Sequence, residues 1–236
     1  MARLAESIDA ELASAGTPER AEKEQVYLRS ELRHHGTPVP VIRRIVRTSL
    51  RNHPALGHDE VVELATALWD EPVHERRMAA VEVLADSTDR LGPEDSVLVE
   101  RFLREARTWA LVDGLSVTVV GTLAHGDDGF APVLDRWASD DDVWLRRAAL
   151  LSLLVPLRKG AGDFERFGRY ADTMLDEREF FVAKAIGWVL RDTAKRRPEM
   201  VAEWLLPRAG RASTVTIREA LKPLPDELRD RIVAAR

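Results

Sequence analysis

One pattern occurs three times along this chain and constrains the fold more than any other feature. Glu75-Arg76-Arg77-Met78-Ala79-Ala80-Val81-Glu82-Val83-Leu84 sets paired arginines ahead of small and then large apolar residues, and Val143-Trp144-Leu145-Arg146-Arg147-Ala148-Ala149-Leu150-Leu151-Ser152-Leu153-Leu154 does the same. A weaker copy runs Phe181-Val182-Ala183-Lys184-Ala185-Ile186-Gly187-Trp188-Val189-Leu190. The copies lie tens of residues apart, which leaves room for two helices each. Units of that size bury their apolar faces only by stacking on one another.

The spacing of apolar residues is helical almost everywhere, beginning with Leu4, Ile8 and Leu12, and no stretch alternates with period two. Breaks recur at Gly16-Thr17-Pro18, Gly36-Thr37-Pro38, Pro54 to Gly57, Pro72, Gly92-Pro93, Gly126 to Gly129, Gly160 to Gly162, Pro198, Gly210 and Pro223 to Pro225. Helix starts follow several of them: Thr17 before Pro18, Asp59 before Val61, and Thr216 three residues ahead of Glu219 as a capping box. These signals predict an all-α fold, an α-solenoid of HEAT-like helical repeats with a concave groove. They predict one repeat domain over residues 1–236 with no internal linker.

The 236 residues include no cysteine, which excludes disulfide scaffolds, zinc-thiolate sites and thiol catalysis. No apolar run approaches the ~18 residues that cross a bilayer. Glu6, Asp9 and Glu11 interrupt the apolar residues at the start, unlike a signal peptide. A cytoplasmic protein is expected, and a monomer. The sequence has no Walker A, GxGxxG or GxSxG motif, so nucleotide hydrolysis, dinucleotide binding and serine hydrolase chemistry lack support. The histidines, His34, His35, His53, His58, His74 and His125, show no ligand spacing and read as surface or capping residues. Asp140-Asp141-Asp142 precedes a helix and reads as N-cap and dipole chemistry. No metal and no cofactor is expected.

The formal net charge of −5 argues against a generally basic nucleic-acid binder, so distribution decides. Arg44, Arg47 and Arg51 share one helical face, as do Lys184, Arg191 and Lys195, with Arg196 and Arg197 following. Arg146-Arg147, Arg158-Lys159 and the run Arg208, Arg211, Arg218 and Lys222 are further clusters. Each reads either as a solvated face with ion pairs or as part of a phosphate track. Several together lean toward a polyanion in a basic groove.

Trp109 and Asp113 stand four residues apart in Thr108-Trp109-Ala110-Leu111-Val112-Asp113-Gly114, on one helix face. Trp188 follows Lys184 by four and precedes Arg191 by three. Tryptophan among charges is unusual for core packing. The bland alternatives are a half-buried Trp at a repeat seam and an Asp that receives an Arg from the next repeat. Trp69, Trp137, Trp144 and Trp204 read as packing residues.

At these residues the sequence resembles the AlkD-like DNA alkylation repair family, HEAT-like repeat DNA glycosylases. Phe180 to Pro198 is similar to that family's C-terminal signature, Trp109 with Asp113 to its Trp-x-x-x-Asp motif, and Trp144-Leu145-Arg146-Arg147 to its Trp-x-Arg-Arg segment. The resemblance is strong from Trp109 to Pro198 and weaker upstream, where it rests on Tyr27 and the Gly36-Thr37-Pro38 helix start. It implies that Asp113 is the catalytic carboxylate, that Trp109 and Trp188 wall the damaged nucleotide, and that Arg147 holds the backbone near the lesion. Lys184, Arg191, Tyr27, Arg44 and Arg47 complete the expected DNA contacts. The resemblance also implies action without base flipping, and relatives lacking the acid or the tryptophans are not active glycosylases; all are present here.

The implied chemistry is self-consistent. A purine alkylated at N3 or N7 is cationic, so the base leaves without protonation and no general acid is needed. One carboxylate stabilises the oxocarbenium-like sugar and orients water at C1′. Indole faces attract the cationic nucleotide, each by roughly 0.5–2 kcal/mol. The expected substrate is duplex DNA containing alkylated purines. The competing readings are a non-catalytic HEAT-repeat protein that binds DNA structures and a protein-binding scaffold. A scaffold has no need for the aromatic and acidic set, and a pure DNA binder has no need for a carboxylate that repels phosphate.

Overall fold

The computed structural model describes residues 1–126 and 128–236. The break expected at Gly126 to Gly129 includes Asp127, which lies outside the described residues. Among the described residues there is no strand beyond an isolated bridge between Arg33 and Val73. By packing, the chain divides into two compact units, Met1–Val119 and Val120–Arg236.

The first unit contains α1 (Ala2–Ala15), α2 (Pro18–Leu28), α3 (Val39–Asn52), α4 (His58–Trp69), α5 (His74–Ala85), α6 (Ser96–Ala106) and α7 (Trp109–Gly114). In α3, Ile42, Ile45, Val46 and Ser49 face inward, and the intervening Arg43, Arg44, Arg47 and Arg51 are exposed. This is the apolar stripe of an outer helix. In α5, which carries the first repeat segment, ten of the twelve residues are buried. Its small Ala79 and Ala80 let neighbours approach, and it packs against α3, α4 and α7.

The second unit contains α8 (Gly121–Gly126), α9 (Ala131–Trp137), α10 (Val143–Leu151), α11 (Leu154–Arg158), α12 (Phe164–Thr173), α13 (Phe180–Ala194), α14 (Pro198–Leu205), α15 (Thr214–Leu221) and α16 (Asp226–Ala234). The other two repeat segments form α10 and α13, and α13 again has ten buried residues. In this unit α10, α13 and α15 lie side by side, as α3, α5 and α7 do in the first. Ladders of this kind are the nearest-neighbour packing of a helical solenoid. Trp69 and Trp137 are fully buried packing residues, as expected.

Helix starts follow the expected chemistry with two shifts. Thr17 caps α2 through Arg20 N, and Asp142 caps α10 by accepting Trp144 N at 2.8 Å. The last cap sits one turn earlier than expected and is a single hydrogen bond, not a capping box: Ser213, not Thr216, caps α15 by accepting Thr216 N at 3.1 Å. Glu219 is thereby freed for another task. At α4 the cap is Gly57, whose N–H is taken by Glu60 at 3.0 Å.

Candidate active site and charged strip

In the first unit, α7 is a single short helix that begins at Trp109 and ends just after Asp113. The chain enters it from Arg107, whose left-handed backbone (φ 50°) stops α6, and from Thr108, which is extended and buried. Gly114 lets this helix press onto α5: a Cβ there would lie 2.9 Å from Val81 Cγ1. Beyond it the chain winds into a π-helical stretch, Leu115–Val120. Wide turns of this type recur next to functional residues. Trp109 and Asp113 are both half-buried, one turn apart on the same helix. Tyr27 projects from α2, 71% exposed, and meets Trp109 edge to face with ring centroids 5.8 Å apart at 85°. The structure therefore brings Tyr27, Trp109 and Asp113 into one unit and sets the first two edge to face, a favourable aromatic geometry.

Arg44 and Arg47 lie on the exposed face of α3, where Arg43, Arg44, Arg47, Arg51 and Asp86 border an open depression of about 640 Å³. Two of the arginines are oriented from below by acids of α5 and its end, Arg43 Nε by Glu82 at 2.9 Å and Arg47 Nε by Asp86 at 3.0 Å.

The second unit carries the densest charge arrangement, and it depends on two acids that sequence reasoning missed as site residues. Gly187 permits a close contact between α13 and α15, since a Cβ there would lie 2.8 Å from Glu219 Cβ. The buried Glu219 carboxylate consequently reaches Lys184 at 2.6 Å, Lys222 at 2.8 Å and the Arg191 guanidinium. One turn along α13, the buried Asp192 binds Arg158 at 2.7 Å and Lys195 at 2.7 Å, with Arg191 Nε 3.5 Å away. The Trp188 indole N–H also donates to Asp192, at 3.2 Å, so the same carboxylate fixes that ring. Five cations around two carboxylates leave an excess of three positive charges on a strip whose heads are part-exposed. The sequence signal for the anchors was present in Asp192 three residues before Lys195 and Glu219 three before Lys222.

Burial pushes the Glu219 carboxyl up, but hydrogen bonds from Lys184 and Lys222, the Lys184 charge and the Arg191 hydrogen bond outweigh it, leaving the group at about 2. Asp192 is likewise held below its ordinary value, burial opposing and Lys195 and Arg158 prevailing. A depressed carboxylate stabilises the fold fully above its ordinary value of 4.5 and loses that contribution as pH falls toward about 2. Glu219→Ala, which strands three cations, is expected to cost about 3 kcal/mol at neutral pH, the low end for breaking a buried pair because its partners are part-exposed. Urea unfolding at pH 7 and pH 3 checks this: the difference from the parent should shrink at the lower pH.

Elsewhere the bland alternative prevails. Arg208 pairs with Asp172 at 2.8 Å, Arg211 with Asp172 and Asp176, and Arg146 with Glu177, each joining successive repeats. Arg147 differs from the expected phosphate contact. It is 3% exposed, its guanidinium donates to the Phe181 carbonyl, and it lies over the Phe181 ring at 5.8 Å. Such burial suits a positioning group better than a direct phosphate ligand. Among the histidines, His74 departs from the surface reading: it is 5% exposed and stacks on the half-buried His34.

Residues 8–224 match the family described as DNA alkylation repair enzyme. No curated protein matches in sequence. Among solved structures, a predicted DNA alkylation repair enzyme from Enterococcus faecalis superposes with a TM-score of 0.81 at 22% identity, over 89% of this chain and 97% of that one. AlkD2 from Streptococcus mutans superposes with a TM-score of 0.60 at 16% identity, over 79% of this chain and 90% of that one. At such identities the likeness to solved structures is one of fold.

Proposed function

Because the chain belongs to the DNA alkylation repair enzyme family, we propose that it is a DNA glycosylase that hydrolyses the N-glycosidic bond of N3- and N7-alkylated purines in duplex DNA, bulky adducts included, to begin base excision repair. The observation that carries this reading is Asp113 one helical turn from Trp109, with Tyr27 edge-on to that indole. A half-buried carboxylate beside π faces is arranged to stabilise positive charge, and positive charge is what this substrate brings and what its sugar develops.

In the proposed reaction the C1′–N bond breaks with its electron pair passing to the base, which leaves neutral. Asp113 stabilises the cationic sugar and orients a water, whose oxygen bonds to C1′ while its proton is lost to solvent. Trp109 contacts the cationic nucleotide, and in the second unit Trp188 offers DNA a further indole face, which Asp192 keeps in place. Arg147 acts by positioning. Lys184, Arg191, Arg44 and Arg47 track phosphates. The deciding experiment is the release of free base from a duplex carrying N7-methylguanine. No release, with affinity for the duplex retained, would move the protein to a non-catalytic DNA-structure binder.

The strip makes a separate quantitative prediction. If Lys184 and Arg191 neutralise phosphates, each Ala substitution should lower the slope of log affinity against log salt by about one unit. Arg147→Ala should leave the slope nearly unchanged and lower stability instead. Anisotropy titrations across salt concentrations read the slopes directly, and unchanged slopes for Lys184→Ala and Arg191→Ala would remove both from the interface.

A further inference from the structure

In the first unit α2 presents an unusual problem of attachment, for it buries none of its side chains. It nonetheless carries Tyr27, whose ring must stand against Trp109. Beneath it lies a cluster that the function proposed above does not use. Glu24 of α2, His34 of the α2–α3 connection and Glu75 of the first turn of α5 place one ligand atom each within 4.8 Å of one another.

The polar atoms of this cluster are incompletely satisfied. Both ring nitrogens of His34 are buried without a hydrogen-bond partner, and so is Nδ1 of the deeply buried His74, which stacks on His34 at 4.6 Å and 11°. A neutral imidazole carries one N–H and one lone pair, and leaving either unmet in the interior is unfavourable. Glu75 accepts N–H donors from His35 at 2.8 Å, Gly36 at 2.7 Å and Thr37 at 3.2 Å, which fixes its carboxylate and leaves a lone pair on Oε2 unused. Glu24 is oriented by Arg20.

We propose that Glu24, His34 and Glu75 bind one divalent transition-metal ion, and that this ion clamps α2 onto the first turn of α5. One imidazole nitrogen with two carboxylate oxygens suits a borderline cation such as zinc; magnesium and calcium favour all-oxygen shells. The backbone amides around Glu75 supply the outer hydrogen bonds that orient a ligating carboxylate. By holding α2 the ion fixes the base of Tyr27. A second cluster, His58 with Glu94 and Asp95, lacks this character, since both of its ring nitrogens are engaged by Asp59 and Asp95.

The test uses the full chain stripped with a chelator and titrated with zinc sulfate against a chromophoric competitor. One equivalent should bind, and at a hundredfold excess over the dissociation constant the melting temperature should rise by about 5–10 °C. Trypsin cleavage at the exposed Lys23 of α2 should slow in parallel. Glu24→Gln and His34→Gln should abolish all three effects while melting, without zinc, close to the parent. Magnesium should do nothing. Absence of stoichiometric zinc binding overturns the proposal, as does binding that survives in Glu24→Gln, which would assign the ion to other histidines. These readouts use no DNA, so their failure leaves the glycosylase reading standing, and failed base release leaves them standing.

Discussion

Asp113→Asn is expected to lower 7-methylguanine release at least about a hundredfold while duplex affinity stays level or rises. The substitution preserves volume and hydrogen-bonding capacity and removes one negative charge. Losing one well-placed electrostatic contact to a transition state typically costs 10² to 10³ in rate. In the DNA-bound state the same charge repels phosphate, so its removal does not weaken binding. Single-turnover release on a defined duplex, with affinity measured at one fixed salt concentration, separates the two quantities. The spontaneous loss of the cationic base sets the floor of the assay. Full activity in Asp113→Asn would sink the electrostatic mechanism.

The second large effect concerns which lesions are released. No proton donor for a leaving base is part of the proposed chemistry, and the surrounding groups favour positive charge. Duplexes carrying N3- or N7-alkylated purines should therefore yield free base. Duplexes carrying uracil, an etheno-adenine or an O6-alkylguanine should not, since a lone carboxylate does not help a neutral base depart. Lesion charge should outrank lesion size across such a panel. Assaying each duplex for both free base and abasic sites guards against loss by another route, and comparable release of neutral bases would show the mechanism to be wrong.

Much of the fold was legible because repeats announce themselves: the two paired-arginine segments became α5 and α10 and their weaker copy became α13, each more buried than the helix preceding it. Trp109 and Asp113 were placed on one helix because four-residue spacing is a local property. The signals that failed were of two kinds. Some breaks carry no glycine or proline, as where Arg107 stops α6 in a left-handed conformation, and the π-helical turn after Asp113 has no compositional mark. The others are long-range. Glu219 looked like the acidic end of a capping box until Ser213 took the cap and α15 met α13 at Gly187. Glu75 is remote in sequence from Glu24 and His34 and meets them only in the folded chain.

The way Glu219 and Asp192 share their cations has an evolutionary consequence. Arg191 approaches both acids, and each acid has at least two other basic partners. Loss of one lysine or arginine leaves the acid neutralised and the remaining heads in place, whereas loss of an acid releases several heads at once. The strip is thus tolerant at its surface and brittle at its root. Drift among relatives should exchange lysine for arginine freely and move basic residues between neighbouring turns, so that the two buried acids become its historical memory.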